Sequence, residues 1–246
     1  MGSGHAPLKS AILDTIFPLW CLACNGELYF ENNYTCVHCE ILRDLPFSPL
    51  ACPVCDARMP EGKICSPCRK KTVLRRFVNA GSYTSPPLRE LIHQFKYQQV
   101  KLFSWQLASF LLAVLKSQGL HTLFTNRGYD IVLVPIPLAK HKLRLRSFNQ
   151  AEEIAKIIAG NLGLPLAANA LIRTRGGVSQ TELNDPQTRR KNVKNSFSCP
   201  DLSLVENKIV VLLDDVYTSG ATMEECGHVL KEAGAKEIWG LVIAKG

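Results

Sequence analysis

Val210-Val211-Leu212-Leu213-Asp214-Asp215-Val216-Tyr217-Thr218-Ser219-Gly220-Ala221-Thr222 decides the reading of this chain. Four apolar residues in a row mark a strand buried on both faces, the kind found in parallel sheets. That strand delivers two acids at its carboxyl end, where ligands bind in open α/β sheets. Thr218, Ser219, Gly220 and Thr222 follow in a loop that leads into a helix. Gly220 lets the backbone approach an anion closely, and the helix-start amides with three hydroxyls suit a phosphate. Adjacent carboxylates would repel that phosphate unless the same ligand also presents hydroxyls or a metal ion. A ribose 5-phosphate has both ends: phosphate for the loop, hydroxyls for Asp214 and Asp215. The run is not a Walker loop, because it lacks the Gly-Lys-Ser/Thr ending. A plain capped turn would also use Thr or Asp, but it does not require the whole thirteen-residue pattern.

Outward from this stretch, the pattern alternates strands and helices, which predicts a parallel sheet with α/β packing. Strands are expected at Phe77–Tyr83, Ile131–Pro137, Leu171–Thr174, Lys208–Asp215 and Glu237–Lys245. Helices are expected after Pro86 and Pro87, over 101–117, over Gln150–Leu162 and over Met223–Gly234. A further short amphipathic helix is expected over 11–20. Thr174–Asn195 is polar, basic and punctuated by Gly and Asn, and reads as a mobile loop running into a short helix.

Charge and cysteine divide the 246 residues unevenly. Up to Thr72, seven Lys/Arg balance seven Asp/Glu; from Val73 onward 22 face 14, so the whole net charge of +8 lies there. A basic domain suits an anionic ligand, although net charge alone also serves solubility. No apolar run is long enough to cross a bilayer. The first ten residues lack a signal-peptide core, so a reducing, cytoplasmic setting is expected. Eight of the ten cysteines form four Cys-x-x-Cys pairs: Cys21/Cys24, Cys36/Cys39, Cys52/Cys55 and Cys65/Cys68. Thiol pairs in a reducing setting are better metal ligands than disulfides. The gaps of eleven, twelve and nine residues suit zinc ribbons with two Cys₄ sites. Sequential and crossed ligand pairings are both compatible with the spacing. Residues 21–68 could not bury a core without such a staple. Two domains are expected: 1–72, an N-terminal helix with a double zinc ribbon, and 73–246, the α/β domain. Cys199 and Cys226 read as small packed residues.

The stretch from Asp214 to Thr222 resembles the phosphoribosyl pyrophosphate motif of type I phosphoribosyltransferases. Over nearly the whole chain, the sequence is similar to the ComF (ComFC/GntX-like) competence family. The likeness is carried by the Cys-x-x-Cys units, Phe95-Lys96-Tyr97, Val134-Pro135-Ile136-Pro137, Arg146-Ser147-Phe148-Asn149-Gln150-Ala151, Arg189-Arg190-Lys191-Asn192-Val193 and Asp214–Thr222. The family usually has Gly where this chain has Ser147.

The resemblance implies a parallel-sheet, Rossmann-like phosphoribosyltransferase fold behind the zinc ribbons. It implies binding of phosphoribosyl pyrophosphate with Mg²⁺ through Asp214, Asp215, Thr218, Ser219, Gly220, Ala221 and Thr222. By the same resemblance, the turn after Ile131–Pro137 is the pyrophosphate loop, with Lys140, Lys142, Arg144 and Arg146 as its cations. Asp214, Asp215 and Arg146 would serve catalysis, and the 173–195 loop, with Gln180, Arg189, Arg190 and Asn192, would cover the reacting centre. Asn149 would cap the next helix or touch ligand. Some purine-handling relatives have an acid at the position of Thr218, so purine transfer is not implied. Amidotransferase relatives need a glutaminase domain with an N-terminal cysteine nucleophile, a pattern not read in this sequence, so glutamine-fed chemistry is not expected. Family members serve natural transformation and the handling of incoming DNA, in some cases beside a helicase. Single-stranded DNA and a helicase of the competence machinery are therefore expected partners, and a non-catalytic sensor or DNA-binding scaffold is the alternative to a phosphoribosyl transfer enzyme.

Overall fold

The computed structural model describes residues 45–97, 103–126, 128–174 and 195–246. The helix expected over 11–20 and the loop interior at 175–194 lie outside them. Pro46–Gly246 forms one compact unit.

Its centre is a four-stranded sheet, all parallel, in the order β1 (Leu74–Ser82), β6 (Glu237–Lys245), β5 (Ile209–Tyr217), β2 (Ile131–Pro135). Helix α1 spans Pro86–Tyr97, α2 Phe103–Ser117, α3 His121–Thr125, α4 Lys140–Arg146, α5 Gln150–Leu162 and α6 Ala221–Glu232. Two-residue strands β3 (Ile172–Arg173) and β4 (Phe197–Ser198) pair antiparallel beside the main sheet.

The strand interiors are buried on both faces, as their near-continuous apolar runs require. Alternation sorts the side chains. Val210, Leu212, Ile238 and Val242 face Met223, Cys226 and Leu230 of α6. Helices α2 and α5 pack against one another and against the sheet, as the second covering layer. Two glycines admit α6 at close range: a Cβ on Gly240 would lie 2.6 Å from Met223 Sδ, and one on Gly227 would lie 2.4 Å from Val73 Cγ1.

Strand β1 begins three residues before the expected start. Arg76, polar in sequence, is accommodated because its guanidinium lies 5.0 Å from the centre of the Trp239 ring and donates to Glu61. The outer edge of β1 is covered rather than open. Ser48 N donates to Ala80 O, Ile64 N donates to Arg75 O, and Lys63 bridges to Arg76, which removes a template for unwanted strand pairing. Cys52, Ile64, Cys65 and Cys68 share a core cluster with Leu74 and Phe77. Glu224, in the first turn of α6, receives the Thr72 hydroxyl and the Val73 amide, and so fastens the chain just ahead of β1. Strand β5 runs two residues past the acids to Tyr217, because β6 continues to pair with it at Ala244 and Lys245.

Candidate functional site

The chain leaves β2 towards α5, on one face of the sheet, and leaves β5 towards α6, on the other. Neighbouring parallel strands whose connections diverge in this way open a crevice at their carboxyl ends. A cavity of about 460 Å³ lies there. Ile136, Pro137 and Leu138 after β2 line it, and so does every residue from Asp214 to Thr222.

The loop from β5 to α6 depends on glycine. Gly220 has φ 73°, and a Cβ there would stand 2.2 Å from Tyr217 Oη. Tyr217 is itself held against Phe77, with ring centres 4.7 Å apart. The turn therefore closes tightly and brings the first amides of the twelve-residue helix α6 to the cavity, and first-turn amides have no partner within a helix. Thr218 is exposed, while Ser219, Ala221 and Thr222 are half-buried around it.

The two acids have separate environments. Asp214 accepts from the Asp215 amide at 2.8 Å. Burial, and then the neighbouring Asp215 charge, push its carboxyl up to about 7. Asp215 is paired at 2.9 Å with Lys96, which reaches in from α1. Burial opposes the Lys96 charge, but the Asp215 carboxylate, with Asp214 behind it, holds the ammonium above its usual range. His93, one turn earlier on α1, also lines the cavity. Sequence reasoning used Lys96 only as part of a family mark and gave it no role. Its signal was a lysine one turn after Ile92, on the stripe that buries Leu88, Ile92 and Phe95.

The basic segment after β2 is a helix, not the expected turn. It stops at Ser147, whose φ of 63° is left-handed and whose amide bonds back to Leu143 O at 2.8 Å. Glycine suits that conformation best, which explains the family's usual residue there. Lys142 and Arg146, one helical turn apart, line the cavity. Lys140 and Arg144 are exposed and are not among the lining residues. Burial, and then Arg146, hold the Lys142 ammonium below its usual range. Phe148 packs on Phe95 with ring centres 5.4 Å apart. Asn149 occupies the cap position of α5 but makes no side-chain cap bond; it donates instead to Ile136 O at 3.1 Å, clamping the end of β2. Arg173 of β3 also lines the cavity, with its guanidinium 5.2 Å from the centre of the Phe197 ring. The sequence marked Arg173 only as the start of a covering loop. Gln180, Arg189, Arg190 and Asn192 lie outside the described residues.

The second cysteine set converges away from this cavity. The thiols of Cys52, Cys55, Cys65 and Cys68 all lie within 4.8 Å of one another, and could hold a metal ion. Cys55 and Cys65 Sγ are 3.5 Å apart, and Cys65 and Cys52 Sγ 3.7 Å. A zinc tetrahedron with Zn–S bonds of about 2.3 Å has edges of roughly 3.8 Å, so the set fits zinc. Cys21, Cys24, Cys36 and Cys39 lie outside the described residues. Cys226 is buried and Cys199 half-buried in the described core.

Comparison with known proteins agrees with this geometry. Residues 149–245 match the phosphoribosyl transferase domain model. Competence protein F of Haemophilus influenzae is 30% identical over 238 residues, covering 93% of this chain and 98% of that one. The DNA utilization protein YhgH of Escherichia coli K12 is 30% identical over 229 residues, covering 90% and 96%. Competence protein ComFC of Bacillus subtilis is 26% identical over 196 residues, covering 74% and 72%. A zinc-ribbon-type cysteine set, a parallel α/β sheet of type I phosphoribosyltransferase form and end-to-end likeness to Competence protein F together place this chain in the ComF family of competence proteins.

Proposed function

We propose that the chain binds phosphoribosyl pyrophosphate with Mg²⁺ and transfers its phosphoribosyl group to an acceptor nucleophile, with release of diphosphate, while serving the handling of DNA taken up by the cell. The supporting observation is the cavity itself, where a glycine-dependent phosphate turn, two acids and the inward cations Lys142 and Arg146 meet. The turn from Thr218 to Thr222 takes the 5-phosphate through amides and hydroxyls. Asp214 and Asp215 accept from the ribose hydroxyls. Lys142 and Arg146 face the diphosphate, where Arg146 stabilises charge on the departing group. The carboxylates, with the ligand's own oxygens, form the hard donor set that Mg²⁺ prefers. When bound, Mg²⁺ neutralises diphosphate charge. The DNA context comes from the relatives named for competence and DNA utilization.

Calorimetry of the full chain with phosphoribosyl pyrophosphate and Mg²⁺ should give binding heat at pH 8, and Asp214→Asn/Asp215→Asn should abolish it. A silent wild type would end the proposal.

Binding should also depend on pH. The Asp214 carboxyl, raised to about 7, is half-charged at that value and loses its charge below it, and the proposed grip on hydroxyls and cation uses the charged form. Affinity should therefore fall as pH drops from 8 to 6. Stability runs the opposite way: the folded chain holds this proton where the unfolded chain has lost it, so the contribution is full below about pH 4 and lost as pH rises through about 7. Asp214→Asn should melt higher than wild type at pH 8, with the gap closing towards pH 4. Equal melting temperatures at pH 8 would contradict this environment for Asp214.

The two cysteine sets are assigned one structural zinc each. Metal analysis should return about two zinc per chain, and Cys52→Ser about one; an unchanged count in the variant would refute the second site.

A second reading, single-stranded DNA binding on the same scaffold with or without turnover, is favoured by the outward face of α4. Lys140, Arg144 and Leu145 are exposed there, Leu145 at 72%. Gel shifts at rising salt should weaken steeply, and Lys140→Ala/Arg144→Ala should flatten the salt slope by about 0.7 per lost phosphate contact. Retention that is indifferent to salt would exclude backbone contacts.

A further inference from the structure

Four cations line the cavity from three elements: Lys96 of α1, Lys142 and Arg146 of α4, and Arg173 of β3. Two acids, Asp214 and Asp215, share it. Four against two leaves an excess of two positive charges among the described lining Lys, Arg, Asp and Glu. Gathering like charges in a partly buried crevice is unfavourable unless a polyanion completes the set. Lys96 stands within electrostatic range of both Arg146 and Lys142.

The position of Lys96 is fixed from below. Leu88, Ile92 and Phe95 anchor α1 with no exposure, and Phe95 packs on Phe148, two residues beyond the end of α4. The side chains of Lys96 and Asp215 are only 18% and 12% exposed. An ammonium has three donors, and the 2.9 Å bond to Asp215 uses one of them. Among the described residues Asp215 is the one partner of this ammonium, and Lys96 stands in a cavity wall shared with the proposed diphosphate cations.

Building on the phosphoribosyl pyrophosphate reading, we infer that Lys96 is a further diphosphate-binding residue, which bridges Asp215 to a diphosphate oxygen. The bridge links the two ends of the site. The carboxylate proposed to hold ribose hydroxyls is tied, through one ammonium, to the group that leaves.

The test is calorimetry on the full chain as wild type, Lys96→Met and Lys96→Arg, titrated separately with Mg²⁺-phosphoribosyl pyrophosphate, Mg²⁺-pyrophosphate and ribose 5-phosphate. Lys96→Met should weaken the first two by about 10- to 100-fold, the range for losing a hydrogen bond to a charged group. It should weaken ribose 5-phosphate clearly less, because that ligand meets only the Asp215 end of the bridge and the phosphate turn is untouched. Lys96→Arg should recover most of the pyrophosphate affinity. If Lys96→Met does not fold, Lys96→Gln replaces it under the same criteria. Two outcomes overturn the inference while leaving the phosphoribosyl reading intact: a folded variant that binds pyrophosphate as tightly as wild type, or one that loses all three ligands alike. A wild type that binds none of the three removes both.

Discussion

A parallel strand covered by helices on both faces cannot carry charge along its length, so charge has to wait for its end. Strand β5 obeys this constraint: Ile209 to Leu213 are buried without exception, and the first acid is the sixth residue of the strand. Helix α6 can lie on one face, and α2 and α5 on the other, only because those five positions are apolar. The divergence of the chain after β2 and β5 then opens the crevice, and the crevice gathers the acids and cations that line it. The site is thus a by-product of covering the sheet, placed where the covering layers part.

Within the crevice, chemistry that would be costly elsewhere becomes sustainable. Two adjacent carboxyls are tolerated because one is matched by Lys96 and the other keeps its proton up to about neutral pH. A helix start is left open to the cavity because Gly220 lets the turn close against Tyr217. The cations come from separate elements, each held by a contact of its own: Lys96 pairs with Asp215, Arg146 donates to Gln150, and Arg173 lies over Phe197.

What the sequence made legible followed from how local each signal is. The strand-acid-loop-helix unit at 210–222 is contiguous, so its residue types state the strand, the turn and the helix start together. The second pair of cysteine knuckles was equally legible, since the spacing of thiols is a local property. Lys96 and Arg173 were not assigned, because their place in the cavity depends on partners elsewhere: Phe95 meets Phe148, and β3 is only two residues long and pairs with a segment more than twenty residues later. Helix α4 was read as a turn because none of its seven residues is buried, so it has no apolar stripe to declare it. Asn149 looked like a cap by type and position. Its amide instead found the Ile136 carbonyl, which only the folded chain brings near.

The covering of β1 bears on how a shorter chain could be prepared. Residues 48, 63 and 64 hydrogen-bond along its outer edge, and Cys52, Ile64, Cys65 and Cys68 sit in one apolar cluster with Leu74, Phe77 and Tyr217. Cutting at the change of composition near Thr72 would strip that flank and lay bare a long, sticky margin beneath the very tyrosine against which the Gly220 turn closes. A trimmed protein that stays in solution should start at Pro46, where the compact unit begins, and should be expressed with the four thiols still attached to what they shelter.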